Sequence, residues 1–154
     1  MEKVNIVFGT VYGGAQFTAE TISDELVAKG YEVNLLQSAQ LGEFTPAEDE
    51  LLIMVCSTTG QGDLPDDIIP WFSRIQSSAP YLPHLRFAII GLGDSSYPTF
   101  CGAAQKLEQL FSELGSKIVT PVLKIDACET MEPEQEATKW ISVWHEAVQS
   151  LNAA

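Results

Sequence analysis

Cysteine and histidine are scarce in this chain. Its 154 residues include three cysteines and two histidines. Cys56, Cys101 and Cys128 are odd in number and form no C-x-x-C pair. None of them calls for a disulfide framework, and a reducing compartment fits best. His84 and His145 stand alone, so they do not suggest a metal site. Basic residues are few as well: 8 Lys and Arg against 21 Asp and Glu, a net charge of −13. Such a chain repels nucleic acid and anionic membranes, and it steers toward basic protein partners. No apolar run approaches the ~20 residues a membrane span needs. No basic, apolar signal segment opens the sequence, and strand-forming residues begin at position 4. The expectation is a cytoplasmic protein.

What is present is an ordinary globular composition, 45% apolar, with a length that predicts one domain over residues 1–154. Val4-Asn5-Ile6-Val7-Phe8-Gly9 reads as a buried parallel strand. Thr10-Val11-Tyr12-Gly13-Gly14-Ala15-Gln16 follows, and then Ala15, Ala19, Ile22 and Leu26 repeat at helical spacing. The turn between them is rich in small and hydroxyl residues and holds no Lys or Arg. It aims backbone N–H groups and the positive end of a helix into one concavity, which suits a small phosphate bound by neutral donors.

Gly30 supplies the helix stop, and Tyr31 to Leu36 alternates as a more exposed second strand. Residues 37–50 read as a loop or short helix. Leu51 to Cys56 is uniformly apolar, as a central parallel strand should be, and runs into Ser57-Thr58-Thr59-Gly60-Gln61-Gly62-Asp63-Leu64-Pro65. Asp66 or Asp67 then caps a short helix with Ile68, Phe72 and Ile75 on one face. Arg86 to Gly91 is a fourth strand, leading into Leu92-Gly93-Asp94-Ser95-Ser96-Tyr97-Pro98-Thr99-Phe100-Cys101-Gly102. A helix follows with Leu107, Leu110, Phe111 and Leu114 inward, closed by Gly115. Lys117 to Ile125, with Pro121 inside, reads as a fifth strand that is irregular or at an edge. A last helix starts at Glu132-Pro133 and turns Ile141, Trp144, Val148 and Leu151 inward.

Alternating strands and helices predict a doubly wound parallel α/β sheet. All its strands then end at one rim, where such sheets bind ligands. The first turn offers amides and hydroxyls for a phosphate. The 57–65 loop lets backbone reach a planar polar edge. The 92–102 loop brings Tyr97, an aromatic that can lie flat on a ring. A phosphate pocket beside an aromatic platform suggests a nucleotide or flavin mononucleotide (FMN).

The motifs Ser57 to Pro65 and Gly91 to Cys101 resemble those of the short-chain flavodoxin family and of the FMN domain of diflavin reductases. Within the family the chain is similar to the small bacterial YqcA- and MioC-type members. The resemblance implies a three-layer α/β/α fold with five parallel strands in the order 2-1-3-4-5. It also implies FMN as cofactor. Thr10, Val11, Tyr12, Gly13, Gly14 and Ala15 would then hold the phosphate. Ser57, Thr58, Thr59, Gly60, Gln61 and Gly62 would approach the dimethylbenzene-to-N5 side of the ring. Tyr97 would stack on its outer face. Leu92, Gly93, Asp94, Phe100 and Cys101 would meet the pyrimidine edge. Gly60 matches a position where family members flip a peptide so that a carbonyl meets N5, a movement glycine makes cheap.

Two departures from the family pattern stand out. Tyr12 occupies a usual threonine position of the phosphate loop, either as a rim residue or as a contact. Thr59 stands where many relatives place an aromatic on the inner ring face, which leaves that face to Leu64 or partly open. The implied role is that of a low-potential one-electron carrier, itself not an enzyme and a monomer. Its partners would be an NADP-dependent flavodoxin/ferredoxin reductase and acceptor enzymes with basic docking patches. Asp63, Asp66, Asp67, Asp94, Asp126, Glu129, Glu132, Glu134 and Glu136 would form the docking face.

The alternative is a flavin enzyme of the same fold, an NAD(P)H quinone reductase, although no insertion for a second pocket is evident. A third reading is a non-redox nucleotide-binding module. A phospho-receiver would need acids where Phe8-Gly9 and Cys56-Ser57 stand. A small tyrosine phosphatase would need arginine where Gly62 follows Cys56.

Overall fold

The computed structural model describes residues 2–59 and 62–153. Its elements are β1 (Lys3–Gly9), α1 (Gly14–Ala28), β2 (Glu32–Leu36), β3 (Leu51–Ser57), α2 (Ile69–Ser78), β4 (Arg86–Gly93), α3 (Gly102–Glu113), β5 (Lys117–Ile118), β6 (Leu123–Asp126) and α4 (Pro133–Ala153). A turn of 3-10 helix, Ser38–Gln40, lies in the 37–50 segment.

The sheet is parallel throughout, in the order β2-β1-β3-β4-β5, with β6 also paired to β4. The expected fifth strand is therefore present in two pieces on one edge. Lys117 and Ile118 pair with Arg86 and Phe87, and Leu123 resumes opposite Ile90. Pro121 lies in the gap, where it has no N–H to continue the ladder.

Strand alternation sorts the core into two halves. Val4, Ile6, Phe8, Leu51, Ile53, Val55, Ala88 and Ile90 face α1 and α4, where Ala15, Ala19, Ile22, Leu26, Ile141, Trp144 and Val148 meet them. Val7, Leu52, Met54, Cys56, Phe87 and Ile89 face α2 and α3, against Trp71, Ile75, Leu107, Leu110, Phe111 and Leu114. The helical spacing of Ala15, Ala19, Ile22 and Leu26 thus becomes a fully buried stripe on α1. Gly30 and Gly115 close α1 and α3 with φ of 95° and 89°, values that only glycine adopts readily.

Leu151 departs from the expected pattern, since it is 43% exposed. The 21 residues of α4 extend about 31 Å, whereas a seven-residue strand such as β1 spans about 23 Å. The last helical turn therefore runs past the end of the sheet. Neither Asp66 nor Asp67 caps α2, which starts after Ile68 with no side-chain cap and with proline in its first turn. Asp67 is turned toward the strand rim instead.

The order places β1 and β3 side by side with their helices on opposite faces. The rim diverges there, and that is where a doubly wound sheet opens a crevice.

Candidate functional site

Each rim segment takes its shape from short-range chemistry. At the end of β1, the Thr10 hydroxyl accepts a hydrogen bond from the Gly13 amide at 2.9 Å. Gly13 takes φ 90° and forms the N-cap of α1. Its carbonyl accepts from the Phe17 amide at 2.9 Å. Among the described residues the amides of Val11, Tyr12, Gly14, Ala15 and Gln16 have no protein acceptor. Unpaired donors gathered at the head of a helix are what a small anion site offers. Helix geometry alone leaves such donors at every N-terminus. Here the hydroxyl-stabilised turn gathers those of residues 11 and 12 with those of 14 and 15.

The second segment folds on itself. Thr59 and Asp63 exchange backbone hydrogen bonds, each 2.8 Å, and the Gly62 amide donates to the Thr59 carbonyl at 3.0 Å. Gly62 sits at φ 91° with its α-carbon against Thr99 and Gly102. Lys106 reaches back from α3 to Asp63 at 3.3 Å. Gly60 and Gln61, the residues of the expected peptide flip, lie outside the described residues.

The third segment is tied down by two acids. Asp94 accepts from the Ser96 amide at 2.9 Å and from the Cys128 thiol at 3.0 Å. Asp126 accepts from the Ser95 amide at 3.0 Å and from the Cys128 amide at 2.9 Å. The donors of Cys128 and Ser96 hold the Asp94 carboxyl below the usual carboxylate range, and those of Ser95 and Cys128 do the same for Asp126. Cys101 adopts φ 54°, uncommon for a side-chain-bearing residue, and opens α3. Burial pushes its thiol up to about 11, so it is a neutral packing group that offers backbone to the site. Burial likewise raises the Cys56 thiol, which packs in the core.

The three segments enclose a cleft of about 580 Å³, within the usual range of small-molecule sites. Of the residues singled out in the sequence, Val11, Tyr12, Gly14, Ser57, Thr58, Thr59, Leu92, Gly93, Asp94, Tyr97, Phe100 and Cys101 line it. Tyr97 is 61% exposed and Tyr12 98% exposed, both beside the opening. Thr10, Gly13 and Gly62 stand behind the lining and shape it, and the Ala15 side chain is buried behind the helix head, leaving only its amide toward the turn.

Thr99 and Ala127 also line the cleft, although the sequence assigns neither to it. Thr99 lies inside the Tyr97 motif. Ala127 directly follows β6, so the rule that parallel strands end at one rim reaches it. Taking the fifth strand to end at Ile125 stops just short of it.

Leu64 does not cover the inner side of the cleft. It is packed in the α2/α3 core, and among the described residues Ser57, Thr58 and Thr59 line the cleft from this segment. Three of the nine acids expected on an outward docking face are engaged by the rim itself, Asp94 through Ser96 and Cys128. Asp67 bonds to Thr10, and Asp126, 9% exposed, serves the third loop. Asp63, Asp66, Glu129 and Glu132 are exposed.

Comparison with known proteins agrees with this geometry. The Flavodoxin family model matches residues 6–140. Flavodoxin YqcA of Escherichia coli K12 is 39% identical over 144 residues, covering 94% of this chain and 97% of that protein. Protein MioC of the same organism is 34% identical over 144 residues, with the same coverage. Among solved structures, a C101S mutant of a flavodoxin from Pseudomonas aeruginosa superimposes with a TM-score of 0.85 at 39% identity, covering 96% of this chain and 99% of that one.

Proposed function

The chain belongs to the flavodoxin family, FMN-binding electron carriers, and from that premise we propose that it holds one FMN in the rim cleft and shuttles single electrons between a reductase and acceptor redox enzymes. The observation that supports this most is the meeting of unpaired amides at the β1–α1 turn and an exposed tyrosine around one crevice.

The residues fit the group. The amides of Val11, Tyr12, Gly14 and Ala15 would hold the phosphate, with Thr10 and Gly13 setting the turn. Tyr97 would stack on the outer ring face. Backbone at Gly93, Asp94, Phe100 and Cys101 would meet the pyrimidine edge, beside Leu92. Ser57, Thr58, Thr59 and residues 60–62 would flank the opposite edge. When bound, FMN supplies the redox chemistry, and the protein sets its surroundings. A net charge of −13 disfavours adding further negative charge inside the cleft, which biases the bound group toward low potential. The exposed acids Asp63, Asp66, Glu129 and Glu132 suit weak, salt-sensitive docking on basic patches of a reductase and of acceptor enzymes, in a cytoplasmic setting. The whole chain would act as one monomeric unit.

Mixing the FMN-loaded protein with NADPH, with and without a separate flavodoxin reductase, tests the carrier reading. Reduction is expected only when the reductase is present, and it should slow as salt is raised. Rapid NADPH oxidation by the protein alone would identify an enzyme instead.

Thr59 leaves the inner ring face without an aromatic wall. Thr59→Trp is therefore expected to tighten FMN binding by about 0.5–1.5 kcal/mol, the worth of one stacked pair. Isothermal titration of both proteins measures it, and equal affinities would contradict an open inner face.

A further inference from the structure

Asp67 is the one acid that the fold aims at the first turn, and the sheet order explains how it gets there. The 64–68 segment leaves the hairpin after β3 and crosses the end of β1 before entering α2. Ile68 is fully buried there, so close to Gly9 that a β-carbon on the glycine would stand 2.8 Å from its Cγ2. That contact fixes the segment on the corner where β1 becomes the turn. Both carboxylate oxygens of Asp67 then stand 3.1 Å from the Thr10 amide, which donates to them. The Thr10 hydroxyl in turn accepts from the Gly13 amide at 2.9 Å.

We infer that Asp67 is a positioning residue for phosphate recognition: by holding the Thr10 amide from behind, it sets the turn that leaves the amides of residues 11, 12, 14 and 15 free for a phosphate monoester. The inference rests on the reading that FMN occupies this cleft.

The geometry settles an apparent contradiction. A carboxylate beside an anion site is repulsive, so its presence needs an offsetting role. Asp67 engages the Thr10 amide, at the start of the turn, and leaves the donors nearer the helix head unpaired. Without it, the Thr10 amide would lose its acceptor, and the hydroxyl that shapes Gly13 would lose its anchor. Burial, with Asp66 adding to it, pushes the Asp67 carboxyl upward, while the Thr10 amide opposes the shift. No basic side chain contributes to that balance. Repulsion and positioning therefore act in opposite directions on phosphate affinity, and two substitutions separate them.

Asp67→Asn keeps the shape and one acceptor oxygen but removes the charge. Asp67→Ala removes the acceptor. FMN and riboflavin, which lacks the phosphate, are titrated into the apo forms of the wild type and both variants. Backbone amide NMR of the apo proteins is recorded alongside.

In Asp67→Ala the preference for FMN over riboflavin is expected to fall about tenfold, the worth of a lost charge-assisted hydrogen bond. The Thr10 and Gly13 amide resonances should move with it. In Asp67→Asn the preference should equal or exceed that of the wild type. An unchanged preference in Asp67→Ala, or equal weakening toward both flavins, would overturn the inference. So would an Asp67→Asn that binds FMN as poorly as the alanine variant, and that arm stands even if the alanine variant fails to fold. Wild-type protein that binds no FMN would instead sink the cofactor reading itself.

Discussion

Gly102→Val is expected to lower stability by about 1–3 kcal/mol, the usual cost of forcing volume into a packed contact, and to weaken FMN binding with it. A β-carbon at position 102 would stand 2.8 Å from the α-carbon of Gly62 and 3.1 Å from its carbonyl oxygen. Those neighbours are backbone, so no side chain can rotate away. Gly62 has no freedom to yield either. It is held at φ 91°, and its own β-position is blocked by Thr99 at 2.9 Å. Around this contact the Ala103 amide donates to the Thr58 hydroxyl at 3.3 Å, and the Gly102 amide to the Thr99 carbonyl at 2.9 Å. The two glycines thus key the Thr59–Asp63 hairpin into the loop that carries Tyr97. Valine would push the hairpin away and widen the cleft. Urea unfolding with and without FMN measures both effects, and a valine variant of wild-type stability and affinity would contradict the keyed contact.

Tyr97→Ala is expected to weaken FMN binding by about 1–3 kcal/mol, roughly 5- to 150-fold, as loss of an aromatic platform under a flat ring does. Tyr97 is 61% exposed while lining the cleft, so it has little packing of its own to lose. Stability of the apo protein should change little. Tyr97→Phe should retain most of the affinity, because the face of the ring and not its hydroxyl does the stacking. If alanine and phenylalanine variants bind FMN equally well, Tyr97 is no platform.

The parts of this protein that could be read from sequence are those set by local pattern. The uniformly apolar Leu51 to Cys56 read as a central strand, and the Gly91 to Cys101 motif brought Tyr97 to the rim. Pro121 announced the break in the fifth strand. What escaped depended on where loops turn in three dimensions. Asp67 sits beside a helix start and so resembles a cap, yet the packing of Ile68 on Gly9 turns it back toward Thr10. Leu64 lies within a rim loop but falls into the core beneath it. Asp126 reads as a docking acid, but its oxygens are taken by the amides of Ser95 and Cys128. In each case the residue type was visible and its direction was not, because direction follows from packing partners tens of positions away.

The central claim is that three rim loops close on a single FMN. Titrating FMN into isotope-labelled apo-protein while following backbone amide resonances tests it most directly. The account predicts saturation at one equivalent, with the large shifts confined to Val11–Ala15, Ser57–Thr59 and Leu92–Cys101. Shifts clustered at the opposite end of the sheet, or no saturable binding, would contradict it.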